Sequence, residues 1–311
     1  MTETSPQLVV IVDTEEEFDW SKPFSRDAVA VTSIAAQPDI HPLFDRWGIV
    51  PTYLVDWPVA TTPASVAVLR GLMEVGKCEI GTHLHPWVNP PYDEVVSRAN
   101  SYAGNLPREL ERRKLTALTE AISASFGAAP KVYRAGRYGF GPNTAALLEE
   151  LGYQVDASIV PHTSFAADGG PDFRGRPDRP HRLGTLLELP LSAGFVGRLA
   201  GQGPALYPVL ADPRLRPARL PGIASRLGLL ERIRLTPEGV GLADLKRLTR
   251  AMVQRGHRVF SFCYHSPSLA VGHTPYVRSA ADLKAFMETC EGYFRFFAEE
   301  LGGGFTTPTR L

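Results

Sequence analysis

The chain alternates between short runs of consecutive apolar residues and longer stretches in which apolar residues recur every three or four positions. The first pattern is typical of a strand covered on both faces, and the second of an amphipathic helix. We therefore predict strands at residues 8–13, 50–55, 78–82, 132–134, 154–158, 185–191 and 258–264. Helices are predicted at residues 38–47, 64–75, 108–126, 143–151, 242–255 and 280–300.

Strands and helices alternate about seven times, which indicates a parallel sheet with helices packed outside it. The pattern dissolves in the middle of the chain, where residues 161–184 have the composition of a loop and residues 194–241 are poorly periodic. We therefore expect an α/β fold in a single domain, residues 1–311, with an irregular Arg-, Pro- and Gly-rich insertion around residues 161–241.

Polar residues collect at one end of the predicted strands. Asp13, His83, Arg134, Asp156 and His265 each lie at the C-terminal end of a predicted strand or within two residues of it. In α/β barrels the active site is built at that end, from the loops that follow the strands. The placement predicts a catalytic site.

Two histidines stand two residues apart where the third strand ends. Residues at this spacing in a strand point to the same face, so His83 and His85 can converge on one small object. Neutral imidazole is a common zinc ligand, and Pro86, Pro90 and Pro91 restrict the loop that follows. The alternative is a pair of exposed or hydrogen-bonded histidines in a turn.

Acidic residues follow the first strand. Asp13 and Glu15 are also two residues apart, and one carboxylate can bind a metal while the other accepts a proton from water. A solvated acidic loop is the alternative, because Glu16, Glu17 and Asp19 lie in the same stretch. Asp13 differs from the others in ending five consecutive apolar residues, so it begins beside the core.

The composition is that of an ordinary globular protein, with 44% hydrophobic and 21% charged residues. The formal net charge is zero, which gives the whole molecule no electrostatic reason to bind nucleic acid. The chain has no apolar run of membrane-spanning length, its start lacks the features of a secretory signal, and its three cysteines are widely spaced. We expect a cytoplasmic protein with reduced thiols.

Positive charge is concentrated in residues 171–240, which contain eleven arginines and six acidic residues. A solvated surface is one interpretation. The other is a basic patch that contacts an anionic glycan, a lipid-linked sugar phosphate or the surface of an anionic membrane.

Five motifs, in this order, resemble those of the NodB-homology polysaccharide deacetylases, carbohydrate esterase family 4. They are LVVIVDTE (8–15), EIGTHLHP (79–86), YRAGRYG (133–139), YQVDASIVP (153–161) and FCYHSP (262–267). The resemblance implies a distorted (β/α)7 barrel with a divalent metal, zinc in the first place and cobalt, nickel or manganese as alternatives. It also implies removal of N-acetyl groups from an amino sugar in a glycan or a lipid-linked sugar.

The resemblance assigns roles to individual residues. Asp13 matches the catalytic base, Glu15 the acidic metal ligand and His83 the first metal histidine. Arg134 matches the arginine that orients the base, and His265 matches the general acid. Arg137 is an alternative partner for the base.

The chain departs from the family pattern around the metal. The second metal histidine usually stands four residues after the first, and here Trp87 occupies that position. His85 is the expected substitute and Asp19 a reserve ligand. Gly136 replaces the usual proline of the third motif, and the acidic ligand is glutamate, a longer arm than aspartate.

Contacts with the substrate are expected from four further residues, Trp87, Arg137, Tyr138 and Asp156, with the aromatic rings stacking on sugars. Other interpretations remain open. An amidohydrolase barrel carries its His-X-His pair on the first strand, whereas here the pair follows the third. A hydrolase of a small cyclic amide and a metal-free glycan-binding protein are further alternatives.

Overall fold

The computed structural model describes residues 5–311, except for the side chains of residues 213, 216 and 218. The strands are β1 (Gln7–Thr14), β2 (Thr52–Val55), β3 (Glu79–Leu84), β4 (Val132–Ala135), β5 (Val155–Asp156), β6 (His181–Leu183), β7 (Leu186–Glu188), β8 (Ala193–Val196), β9 (Glu231–Arg234), β10 (Val259–His265) and β11 (Gly304–Phe305). The α-helices are α1 (His41–Trp47), α2 (Trp57–Thr61), α3 (Pro63–Glu74), α4 (Arg108–Phe126), α5 (Thr144–Glu150), α6 (Gly203–Leu210), α7 (Leu220–Arg226), α8 (Leu242–Gln254) and α9 (Ala280–Arg295).

The main sheet contains seven consecutive parallel strands in the order β10-β1-β2-β3-β4-β5-β7. β6 pairs antiparallel with β7 at one edge, β11 pairs with the start of β1, and β8 and β9 form a separate antiparallel pair. The sheet curls into a half-barrel, and the predicted distorted (β/α) barrel is confirmed.

The open side of the half-barrel is closed by backbone hydrogen bonds outside the regular strand pairing. The amide of Leu191 donates to the carbonyl of Ile159 at 2.9 Å, and the amide of Ser192 donates to that of Ser261 at 3.4 Å. The amide of Cys263 in turn donates to the carbonyl of Leu235 at 3.2 Å. The segments after β7 and β9 therefore complete the wall beside β10.

Alternation along β1 separates an inner core from an outer one. Val9 and Ile11 pack inside the half-barrel with apolar residues of neighbouring strands. Leu8, Val10 and Val12 pack outward against the helices. Asp13 continues the inward series at the C-terminal end of the strand, because side chains in a strand alternate between faces.

The middle of the chain is more regular than its sequence indicates. Residues 161–241, where we expected an irregular insertion, contain the short elements β6, β7, β8, α6, α7 and β9. These elements are short, α6 contains Pro208, and several apolar residues of α6 and α7 are exposed, so the apolar period is weak. α2 and β11 are also absent from the predicted elements.

Two further expectations concern the state of the cysteines and the absence of a membrane-spanning helix. Cys78, Cys263 and Cys290 are buried and free, and burial raises the pKa of the Cys263 thiol to about 12, which keeps it protonated. Within residues 5–311, no helix combines the length and apolar character that crossing a bilayer requires.

Candidate metal centre and active site

Glu15, His83 and His85 converge at the C-terminal end of β1 and β3. The Oε2 atom of Glu15 lies 3.4 Å from Nε2 of His83 and 3.4 Å from Nε2 of His85. Three ligand atoms of these residues lie within 4.8 Å of one another, and all three side chains are buried. The structure thus brings together the three predicted metal ligands, including His85 at the unusual spacing.

The hydrogen bonds of the two imidazoles direct their lone pairs at Glu15. Nδ1 of His83 lies 3.1 Å from the backbone carbonyl of Arg134, which can only accept, so this nitrogen carries the proton. Nδ1 of His85 likewise faces Oε2 of Glu16 at 2.7 Å. Both Nε2 atoms therefore present lone pairs to a carboxylate oxygen, an arrangement that a divalent cation stabilises.

The electrostatics of the three side chains agree with metal binding. Burial lowers the pKa of His83 and lowers that of His85 to about 4, which favours the neutral, ligating form of both rings. Burial raises the pKa of Glu15 to about 7 when no cation is present, and a bound cation would offset this by stabilising the carboxylate. The buried Oε1 atom of Glu15 has no hydrogen-bond partner among the described residues. Two imidazoles and one carboxylate are the protein ligands of many catalytic zinc sites, so the residues fit a divalent metal.

His85 is held by residues that the sequence did not single out as functional. Glu16 accepts a hydrogen bond from Nε1 of Trp87 at 2.8 Å, and its own backbone amide donates to Oδ2 of Asp56 at 2.6 Å. The Trp87 ring stacks on His85 with centroids 4.3 Å apart. Trp87 is only 1% exposed and does not line the cleft, so its ring packs against His85 and is not presented to the cleft where sugar stacking was expected.

The loop after His85 is tied to α4 by one buried ammonium group. Nζ of Lys114 donates to the carbonyls of Pro86, Asn89 and Pro91 at 2.6–2.9 Å, and it lies 3.0 Å from Oε2 of Glu94. Four oxygen partners satisfy a cation that is itself fully buried, as a charge in the interior requires. The loop is therefore fixed where it leaves the metal ligands.

Gly136 explains how the chain accommodates His85. A Cβ atom at position 136 would lie 2.2 Å from Cδ2 and 2.9 Å from Nε2 of His85, and 2.6 Å from the carbonyl oxygen of Leu84. The altered histidine spacing and the loss of the family's proline are thus one linked departure. The next residues, Arg137 and Tyr138, have φ angles of 54° and 59°, so the turn is unusual throughout.

Asp13 lies beside the metal ligands and is paired with Arg134. Its Oδ1 atom accepts a hydrogen bond of 2.7 Å from Nη1 of Arg134, whose Nε donates to the carbonyl of Ala157. Burial alone would raise the pKa of Asp13, but the Arg134 guanidinium together with His83 and His265 outweighs it and the pKa is lowered. Asp13 is therefore an ionised carboxylate with Oδ2 left to act.

His265 lies beside Asp13, since the two are register partners across the neighbouring strands β1 and β10. Its Nε2 lies 3.9 Å from Oδ2 of Asp13, and its Nδ1 lies 2.7 Å from Oε2 of Glu238. Burial would lower the pKa of His265, but Glu238, followed by Glu15, raises it to about 10. Glu238 comes from the segment after β9, and nothing in the sequence pattern pointed to it.

A cleft of about 610 Å³ opens above these groups. Tyr138 and Arg137, two of the expected substrate-binding residues, line this cleft, but the Arg137 guanidinium bonds Asp168 and Ser101 and lies over the ring of Tyr102 at 4.2 Å. Arg134, and not Arg137, is thus the partner of Asp13. The cleft wall also carries several aromatic rings, those of Phe18, Trp20, Phe24, Tyr102, Phe165 and Tyr276.

Two other expected residues lie outside the constellation. Asp156, which we expected to contact the substrate, is fully buried, does not line the cleft, and accepts a hydrogen bond of 2.6 Å from Oγ of Ser158. Asp19 lines the cleft but accepts hydrogen bonds from the backbone and hydroxyl of Ser21 and pairs with Lys22. It is not among the grouped ligands, so it is not needed as a reserve.

Comparison with known proteins places the fold. The chain matches no family model and no curated protein. Among solved structures it resembles a putative polysaccharide deacetylase from Mycobacterium smegmatis, with 18% identity, a TM-score of 0.50, and coverage of 93% of this chain and 85% of that one. It also resembles the PuuE allantoinase, with 14% identity, a TM-score of 0.53, and coverage of 98% and 88%.

The same fold occurs with other chemistry. A 4-α-glucanotransferase from Thermococcus litoralis matches with 12% identity and a TM-score of 0.50, over 98% of this chain and 40% of that one. The protein therefore has the fold of the NodB-homology, carbohydrate esterase family 4 deacetylases. At these identities the likeness concerns the fold, and function has to be argued from the site.

The ligand set predicts the metal content of the protein. Protein purified without chelators should contain about one equivalent of divalent metal per chain, because Glu15, His83 and His85 form one set of three protein ligands, as in catalytic zinc sites. Elemental analysis should show that Glu15→Gln loses most of this metal, whereas the control Asp19→Asn retains it. Equal loss in both variants, or no metal in the parent protein, would contradict the assignment.

The contact at Gly136 predicts a second effect. Gly136→Ala should weaken metal binding about 10- to 100-fold, as changes beside metal ligands commonly do, because the new methyl group overlaps the His85 ring. Metal titration and thermal unfolding with and without metal would measure it. Gly71→Ala is the matched control, since a Cβ there meets nothing within 4 Å; similar metal affinity in both variants would refute the coupling.

Proposed function

We propose that this protein is a divalent-metal-dependent hydrolase that removes N-acetyl groups from an amino sugar in a glycan or a lipid-linked sugar. One observation carries the proposal: Glu15, His83 and His85 form a candidate metal site in the same cleft as an acid–base pair, Asp13 and His265. The fold of polysaccharide deacetylases supports it. Zinc is the proposed metal, because its usual ligands are the ones present.

The roles of the residues follow from their partners. A bound metal would supply a Lewis acid and lower the pKa of water. Asp13, kept ionised by Arg134, accepts a proton from the attacking water at Oδ2. His265, kept protonated by Glu238, donates a proton from Nε2 to the leaving nitrogen. The attack on the acyl carbon and the loss of the amine then use two side chains that lie side by side at the ends of β1 and β10.

The cleft supports a sugar-sized substrate. Its volume of about 610 Å³ lies within the usual range of ligand pockets, and aromatic rings form much of its wall. Trp20 is 40% exposed, and its ring meets His265 edge-on with centroids 5.1 Å apart. Tyr276, which is 38% exposed, packs against Trp20. These two rings are the proposed platform for the sugar next to the acid.

A second candidate is hydrolysis of a small cyclic amide, which the likeness to the PuuE allantoinase favours. The same base and acid would serve, but the ring would open without release of acetate. A metal-free glycan-binding protein is the remaining alternative and would contain no metal. We also expect a cytoplasmic location and no binding to nucleic acid.

A screen for acetate release tests the proposed reaction. The metal-loaded protein should release acetate from at least one N-acetylated glycan or lipid-linked sugar. Asp13→Asn should reduce kcat about 10²- to 10⁴-fold, the usual contribution of a general base, while elemental analysis still finds the metal. Asp27→Asn is the control, since that side chain is exposed. Full turnover by Asp13→Asn would defeat the assignment of the base.

The partner of His265 predicts a shift in the pH profile. Because Glu238 raises the pKa of His265, activity should fall only as the pH rises through that high value and the acid loses its proton. Glu238→Gln removes the carboxylate and should move this basic limb of kcat/KM to lower pH. Glu231→Gln is the control, because Glu231 pairs with Arg247 instead. An unmoved limb in Glu238→Gln would exclude the role.

A further inference from the structure

Between β8 and β9 lies a small helical unit with its own core. Phe195 and Leu230 are buried there with Ala224 of α7, and Tyr207 and Leu210 of α6 pack against them. This cluster is separate from the two cores of the half-barrel. One side of each short helix is therefore used, and the opposite side is left to face outward.

The outward side is apolar. Leu206 and Val209 of α6 are 38% and 62% exposed, and Ile223 of α7 and the adjacent Leu227 are 47% and 63% exposed. With Leu199 and Leu215, this region holds six of the fourteen large apolar side chains that are exposed in residues 5–311. Single exposed apolar residues need no explanation, but a concentration of this kind marks an interaction surface.

The same segment of the chain is positively charged. Residues 198–228 contain five arginines and a single acidic residue, Asp212. Arg198, Arg214, Arg219 and Arg226 are exposed, and within the described part of the chain none of them forms an ion pair. We call the exposed apolar residues of the preceding paragraph and these four arginines the basic–apolar face.

We propose that the basic–apolar face docks on the surface of an anionic phospholipid membrane. Apolar side chains flanked by arginines suit an interface where phosphates lie above acyl chains, because the guanidinium groups meet the headgroups while the apolar groups enter below them. A second copy of the chain is a poor partner, since it would bring the same unpaired positive charge to the contact. The helices lie on the bilayer and do not cross it.

The face is joined to the cleft through β9. Arg232 on this strand lies over the ring of Tyr207 of α6 at 5.1 Å, and Arg234, two residues further, lines the cleft. Membrane docking would therefore hold the cleft close to the lipid surface. The proposal goes beyond the proposed hydrolysis and does not depend on it, because binding can be measured without turnover.

Co-sedimentation of the full chain with vesicles tests the proposal. The protein should bind vesicles of phosphatidylcholine mixed with phosphatidylglycerol, bind pure phosphatidylcholine weakly, and be released by high salt. Arg198→Gln and Arg226→Gln should each reduce binding about fivefold. The pair Val209→Ser and Leu227→Ser should also reduce it.

Two controls make the outcome decisive. The pair Val75→Ser and Val95→Ser changes side chains that are 66% and 78% exposed elsewhere, and it should leave binding unchanged. Sedimentation equilibrium without lipid should show that the protein does not self-associate through this face. Any self-association that is seen should therefore persist in the Val209→Ser and Leu227→Ser variant. Equal binding to neutral and anionic vesicles, no binding to either, equal loss in the control pair, or a dimer formed through this face would each overturn the proposal.

Discussion

The candidate site depends on where the protons of two imidazoles are held. His83 gives its Nδ1 proton to a backbone carbonyl and His85 gives its Nδ1 proton to Glu16, so both Nε2 lone pairs point at Glu15. Neither acceptor can donate a proton in return when Glu16 is ionised, and the tautomers are thereby fixed. Three electron-rich atoms this close in a buried site favour a positive charge between them. Without a metal, burial raises the pKa of Glu15 to about 7, so a proton can lie there, and a divalent cation would take that place.

The unusual histidine spacing required changes in the surrounding residues. Trp87 stands where the resemblance expects a metal ligand. Its ring packs on His85 and its Nε1 donates to Glu16, so it helps to hold His85 in place. Gly136 leaves the volume that the His85 ring fills. Lys114 fixes the loop that leaves the site. These contacts hold the His85 ring in one orientation, as expected for a metal ligand.

The sequence was sufficient to predict which residues lie at the ends of the strands. It was not sufficient to predict contacts that arise when distant segments of the chain pack together. Alternation along β1 and β3 was sufficient to place Asp13, Glu15, His83 and His85 on one face. Glu238 could not be found in this way, because it reaches His265 only through the path of the chain after β9. The helices α6 and α7 were not predicted because apolar residues occur on their exposed side as well as on their buried side, which hides the helical spacing of apolar residues. Asp156 was expected near the substrate because it lies at the end of a strand, but that position does not determine which face of the sheet the side chain points to.

The assignment of acid and base is set before any substrate binds. Asp13 and His265 lie side by side on β1 and β10, 3.9 Å apart, and either could hold the shared proton if nothing else acted on them. Arg134 from β4 lowers the pKa of Asp13, and Glu238 raises that of His265. Asp13 and His265 also act on each other, since each charge favours the ionised form of its neighbour. The residues behind the pair therefore reinforce its separation into a carboxylate and an imidazolium, which is the arrangement that the proposed hydrolysis of an amide would use.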